Sequence, residues 1–255
     1  MEERTLLDFS QDDRLATVTI NNFKPVKLTK DLQQINTLDT RLFCEIDQRL
    51  DQIEQRGSVG CVVFTGINPA GYYPVFCDGI DLTFLAGLKF LDFGNDMRRE
   101  VENHIIGIEV LNRIRDMKQY FIARLNGVCI GGGLEFALGL DYLMSLSRML
   151  VGFPEAKYGM LPGWNGLQTL ACKIGKEKAL ALYFEGFFEP SGKPFHRNGI
   201  VSSDKACELG IIDETFPSLE VMDRRITEIM DEFVAGRRFR RSKPELRSYK
   251  VFPEK

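Results

Sequence analysis

Hydrophobic positions fall into two rhythms along the chain. Short β-branched or aromatic runs predict strands at Leu15–Ile20 (LATVTI), Cys61–Thr65 (CVVFT), Phe121–Leu125 and Tyr142–Leu146. Between them the spacing turns helical. Leu42, Phe43, Ile46, Leu50 and Ile53 recur at helical intervals within Leu38–Ile53, which predicts an amphipathic helix. Further helices are expected over Asp81–Leu88, with Asp81 as N-cap, and over Met97–Met117, Leu134–Leu138, Trp164–Ile174, Lys176–Phe184, Lys205–Leu209 and Leu219–Val234. Loops are expected at Asn21–Gln34, which is polar and interrupted by Pro25, at Asn68–Tyr73, and at Gly186–Gly199. Alternating strands and helices predict an α/β class. Residues 1–217 read as a core domain, and 218–255 as a short helical segment with a basic tail of Arg237, Arg238, Arg240, Arg241 and Lys243.

Composition removes several function classes. The chain has 255 residues, 44% of them apolar and 27% charged, which suits a soluble globular protein with a sizeable core. Lys and Arg number 33 against 36 Asp and Glu, so the net charge is −3 and nucleic-acid binding loses weight. The basic tail keeps an RNA-binding reading open, although a solvated tail is the plainer account of it and agrees with the acidic whole. No apolar run reaches the roughly 18 residues that a membrane helix needs. The acidic start, Met-Glu-Glu-Arg, is unlike a signal peptide. The six cysteines form no C-x-x-C pair and mostly sit in apolar stretches, so buried free thiols and a cytoplasmic setting are expected. His104 and His196 lack partners at ligand spacing, so no metal site is expected. There is no G-x-S-x-G elbow, and Ser202–Lys205, although it matches S-x-x-K, reads as the start of a helix.

Two segments could carry chemistry. Cys77-Asp78-Gly79-Ile80 joins a loop to an expected helix, and Gly131-Gly132-Gly133-Leu134-Glu135 does the same. Glycine before a helix start leaves backbone N–H groups open to a ligand, and two such turns facing each other would make an oxyanion hole from backbone alone. The plainer reading of the triple glycine is a tight strand-to-helix turn. It is not a dinucleotide fingerprint, because G-x-G-x-x-G would require glycine where Phe136 stands. Glu135 and Glu155 both lie in apolar surroundings. Each is either a structural carboxylate, such as a helix-cap partner, or an acid/base whose pKa burial would raise toward neutrality.

FCDGIDL, NGVCIGGGLEFALGLDYLMS, VGFPEAKYGMLPGWNG and ACELGIIDETFP occur in an order that resembles the crotonase superfamily, the enoyl-CoA hydratase/isomerase family, over roughly residues 12–235. The resemblance implies a spiral of ββα units with a short helical C-terminal part, assembled as a trimer or hexamer. It assigns the thioester-oxygen donors to the N–H groups of Ile80 and Gly132, and the acid/base pair to Glu135 and Glu155. Gly79, Gly131, Asp78 and Trp164 would line the substrate. A pair of glutamates implies a hydratase or dehydratase of an enoyl thioester in fatty acid metabolism, with CoA or a carrier-protein pantetheine arm as part of the substrate and no separate cofactor. Another reaction of the family, such as isomerisation, C–C hydrolysis or decarboxylation, is the alternative. Three departures stand out: Gln33-Gln34 replace an expected basic residue, Trp164-Asn165 replace small residues, and little chain follows Val234 where relatives carry more helix. The site would then be closed by the 186–200 loop, the helix from Leu219 to Val234 or a neighbouring subunit. Trp164 would narrow the acyl pocket or pack in the core.

Overall fold

The computed structural model describes residues 5–10, 13–27, 33–80, 95–155, 160–185 and 199–241. The strands are β1 (Thr5–Phe9), β2 (Leu15–Ile20), β3 (Phe23–Lys27), β4 (Gln33–Asn36), β5 (Cys61–Thr65), β6 (Val75–Cys77), β7 (Tyr120–Leu125), β8 (Val128–Ile130), β9 (Tyr142–Leu146), β10 (Leu150–Gly152), β11 (Ile200–Ser202) and β12 (Glu214–Phe216). The helices are α1 (Thr40–Arg56), α2 (Asn95–Asp116), α3 (Gly132–Leu138), α4 (Gly166–Ile174), α5 (Lys176–Glu185), α6 (Ser203–Glu208) and α7 (Leu219–Val234).

Among these residues the larger sheet runs β1-β2-β5-β7-β9-β12, and its pairs from β2 to β12 are parallel. A smaller sheet runs β11-β10-β8-β6, with β6, β8 and β10 parallel neighbours. Chain order explains the layout. The successive units β5-β6-α2, β7-β8-α3 and β9-β10-α4 each contribute one strand to the larger sheet, one to the smaller sheet and one helix. This is an α/β spiral of ββα turns.

The hydrophobic pattern drives it. All five residues of β5 are buried, as a strand covered on both faces requires. On α1, Asp39 caps the first turn by accepting the Leu42 N–H at 2.9 Å, and Leu42, Phe43, Ile46, Leu50 and Ile53 face the main core. Helix α7 covers the other face of the larger sheet. Its Met222, Ile226, Ile229 and Met230 pack with Cys61, Val63, Tyr120, Ile122 and Met144 in a second core.

Several expectations need correction. Residues 21–34 are not irregular throughout: β3 and β4 form an antiparallel hairpin. Asn36 anchors it by accepting the Asn22 N–H at 2.7 Å and donating to the carbonyls of Ile20 and Phe76. Helix α4 starts at Gly166 rather than at Trp164, because Asn165 adopts a left-handed conformation with φ 61. The cysteines are free, but Cys44 and Cys172 are exposed. The tail is not simply solvated. Arg238 pairs with Glu232 at 2.8 Å, Arg240 with Asp141 at 3.0 Å and Arg241 with Asp213 at 2.8 Å. Cations neutralised by the protein's own carboxylates are poor phosphate ligands, which weakens the RNA-binding reading. The helix expected at Asp81–Leu88 and nearly all of the Gly186–Gly199 loop lie outside the described residues. No helix among the described residues is long and apolar enough to cross a membrane.

Candidate active site

The smaller sheet assembles the site. Strands β6, β8 and β10 lie side by side and parallel, so the segments following them emerge together: Asp78-Gly79-Ile80, Gly131-Gly132 and Phe153-Pro154-Glu155. Residues distant in sequence become neighbours because their strands are neighbours. The carboxyl ends of parallel strands are where α/β proteins commonly place ligand sites.

The two glycine turns touch. A methyl group added at Gly79, which has φ 89, would lie 3.2 Å from the Gly132 nitrogen and 3.2 Å from the Ile130 carbonyl oxygen. Only glycine allows this approach. Neither the Ile80 nor the Gly132 N–H donates to a backbone carbonyl among the described residues. The first of these turns is braced from behind. The Gln34 amide donates to the Ile80 carbonyl at 2.8 Å, and the Leu38 N–H donates to the Gly79 carbonyl at 2.8 Å.

Asp78, expected among the substrate-binding residues, points inward instead. Its Oδ2 accepts the N–H groups of Ile35 at 2.7 Å and Asn36 at 3.0 Å, and Oδ1 faces the Tyr73 hydroxyl at 3.4 Å. Burial raises its pKa, and the two backbone donors oppose that rise. The geometry makes it an anchor between the hairpin and the Gly79 turn. Gln34 and Tyr73 were not singled out by sequence reasoning. The only signal was that Gln34 stands where a basic residue was expected.

Glu135 sits in the first turn of α3 and is 4% exposed. Its Oε1 accepts the N–H groups of Trp164 at 2.7 Å and Gly166 at 2.8 Å, and its Oε2 accepts that of Gly163 at 3.2 Å. It therefore caps the start of α4, which was one of its two open readings. Oε2, with a single long donor, keeps a lone pair for another partner. Burial lifts the carboxyl to about 7 against the pull of the three donors.

Glu155 lies beside Gly131, its Oε1 2.8 Å from where a methyl group on that glycine would stand. Its Oε2 is buried and has no hydrogen-bond partner among the described residues. Burial, and next the nearby charge of Glu135, push its carboxyl up to about 8. Behind it, the Met160 N–H donates to the Glu155 carbonyl at 3.1 Å, and the Tyr183 hydroxyl of α5 donates to the Met160 carbonyl. Tyr183 is a further residue that sequence reasoning passed over. It bonds the chain at Met160, and burial, with the Glu155 charge next, raises its phenol.

The charge of Glu135 adds to the rise of the Glu155 carboxyl, so the two do not titrate independently. Both native values stand above the ordinary glutamate range. The native state therefore binds more protons than the unfolded chain, and stability falls as pH rises from that range through about 8. Glu155→Gln removes part of this slope. It should melt a few degrees above the wild type at about pH 9, with the gain shrinking toward about pH 5, since about 1 kcal/mol moves Tm by roughly 2–4 °C at this size. Parallel melting curves across that range would contradict the placement of Glu155.

With this geometry in place, the comparisons with known proteins converge. Residues 25–238 match enoyl-CoA hydratase/isomerase. The chain belongs to the enoyl-CoA hydratase/isomerase family. It thereby joins the enzymes of the crotonase superfamily. A probable enoyl-CoA hydratase of Rhizobium meliloti (strain 1021) is 29% identical over 202 residues, covering 79% of this chain and 69% of that protein. The short-chain-enoyl-CoA hydratase of Clostridium acetobutylicum is 26% identical over 229 residues, covering 89% of this chain and 74% of that protein. The enoyl-CoA hydratase structure from Bacillus halodurans superposes with a TM-score of 0.71 at 20% identity, over 92% of this chain and 81% of that one, and shows the shared fold.

Proposed function

We propose that this family member adds water across, or removes it to form, the double bond of an enoyl thioester, carried by CoA or by a pantetheine arm. The observation that carries the reading is the pair of buried carboxyls, Glu135 and Glu155, beside two touching glycine turns with open N–H groups. The N–H groups of Ile80 and Gly132 would hold the thioester oxygen as it gains negative charge, a donor pair typically worth about 2.7–4 kcal/mol per donor removed. Gly79 and Gly131 let the substrate lie against the backbone there.

The proton traffic follows from the two environments. Glu135, the lower of the two at about 7, takes a proton from water as its oxygen bonds to C3 of the acyl group. The C2–C3 π electrons move toward the thioester, and Glu155, held near 8, delivers a proton to C2. One carboxyl has gained a proton and the other has lost one, so exchange with solvent restores the pair. Dehydration is the same path reversed. The chemistry calls for neither a metal nor a redox group.

The test is product analysis. Purified protein incubated with crotonyl-CoA should yield 3-hydroxybutyryl-CoA, with one solvent oxygen at C3 and one solvent hydrogen at C2. A shifted double bond, free CoA or carbon dioxide as the main product from a thioester panel would replace this reading with another reaction of the family.

A further inference from the structure

Trp164 touches both halves of the proposed site. Its main-chain N–H donates to Glu135 Oε1 at 2.7 Å. Its ring lies against Gly132: a methyl group there would stand 2.4 Å from Cζ3 and 3.1 Å from Cε3. The opposite edge lies against α2, where a methyl group at Gly107 would stand 2.6 Å from Nε1. Phe43 of α1 meets the indole edge-on, with ring centroids 5.1 Å apart at 84°. The side chain is thus wedged among two glycines and a phenylalanine, and the residue is 3% exposed. Two glycines facing one indole from two elements are a fitted seat, since any larger residue at either position would collide with the ring.

On the proposed reading the acyl group would enter at the Gly132 peptide, where its carbonyl oxygen binds, and pass Glu135, where C3 reacts. We infer that the Trp164 indole ends the acyl pocket just beyond the reacting carbons, and that this residue restricts the protein to short acyl thioesters. This deepens the hydratase reading and rests on it for the direction of the acyl chain. The ring is rigid and supported on two sides, so a longer chain cannot push it aside without breaking core packing. Removing it would leave an apolar space on the order of the roughly 150 Å³ cavity that suffices to bind benzene, which is room for about six more carbons.

Binding of saturated, non-reacting ligands tests this apart from turnover. Trp164 is the chain's single tryptophan, so its emission reports ligand contact directly. In the wild type, butyryl-CoA should shift that emission saturably. By equilibrium dialysis, decanoyl-CoA should bind at least about tenfold more weakly, the scale of a pocket that rejects extra methylenes. Trp164→Ala should reverse the preference, and Trp164→Phe should move it part of the way, which keeps the test valid if the alanine variant fails to fold. Equal wild-type affinity for the two ligands, or an unchanged ratio in the folded variants, overturns the assignment even if crotonyl-CoA is hydrated. A reversed ratio without hydration would instead sink the hydratase reading and leave the pocket assignment standing.

Discussion

Glu135→Gln and Glu155→Gln should each lower kcat for crotonyl-CoA hydration by about 10²–10⁴-fold, the usual weight of a positioned acid or base. Thioester affinity should change little, because the groups proposed to hold the carbonyl oxygen are the backbone N–H groups of Ile80 and Gly132, which neither substitution removes. A Glu135 replacement can still turn its amide oxygen toward the Trp164 and Gly166 N–H groups, so the start of α4 stays capped. Its amide nitrogen then faces the Gly163 N–H, which makes this variant the less stable of the two. The double variant should be barely slower than the worse single one, since base and acid act in one step. Steady-state kinetics beside butyryl-CoA binding make the check. A large loss from only one substitution would point to isomerase-type chemistry, where a single carboxylate suffices.

Arg240→Ala should destabilise the fold by about 3–5 kcal/mol, the range for removing one partner of a buried charge pair. Asp141 is fully buried, and its Oδ2 accepts both the Arg240 guanidinium at 3.0 Å and the Phe121 N–H at 2.9 Å. The same guanidinium donates to the carbonyls of Ile114 and Arg115 at 2.9 Å each, and to that of Met117. These carbonyls end α2 and have no later helical turn to bond. Removing Arg240 takes the cation from a buried carboxylate and the donor from a helix end together. Arg237→Ala, an exposed position in the same segment, should stay within about 0.5 kcal/mol. Denaturant melts of the two variants decide the matter. Equal, small effects would return the tail to a solvated role.

Some of the fold was legible residue by residue. Leu15–Ile20, Cys61–Thr65, Tyr142–Leu146 and Leu219–Val234 match their expected bounds, because each carries its own period and its own stop signals. Strands β6, β8 and β10 are three residues long and show no period at all. They are strands only because neighbours pair with them. The β3–β4 hairpin was hidden for a related reason: its sequence is polar, and it is held by side chain–backbone bonds from Asn36 and Asp78 that no local pattern announces.

The sequence by itself determined the α/β class, the two glycine turns and the two carboxylates in apolar surroundings, since residue type and spacing act locally. It also showed a cluster of cations near the C-terminal end. Only the tertiary structure decided which of these meet. It brought Glu155 against Gly131 and toward Glu135, turned Asp78 away from the site, seated Trp164 between Gly107 and Gly132, and gave Arg238, Arg240 and Arg241 their partners. The reason is physical. A local pattern fixes which face of a strand or helix is apolar, whereas the meeting of distant side chains depends on which strands pair and on what the packed core leaves room for.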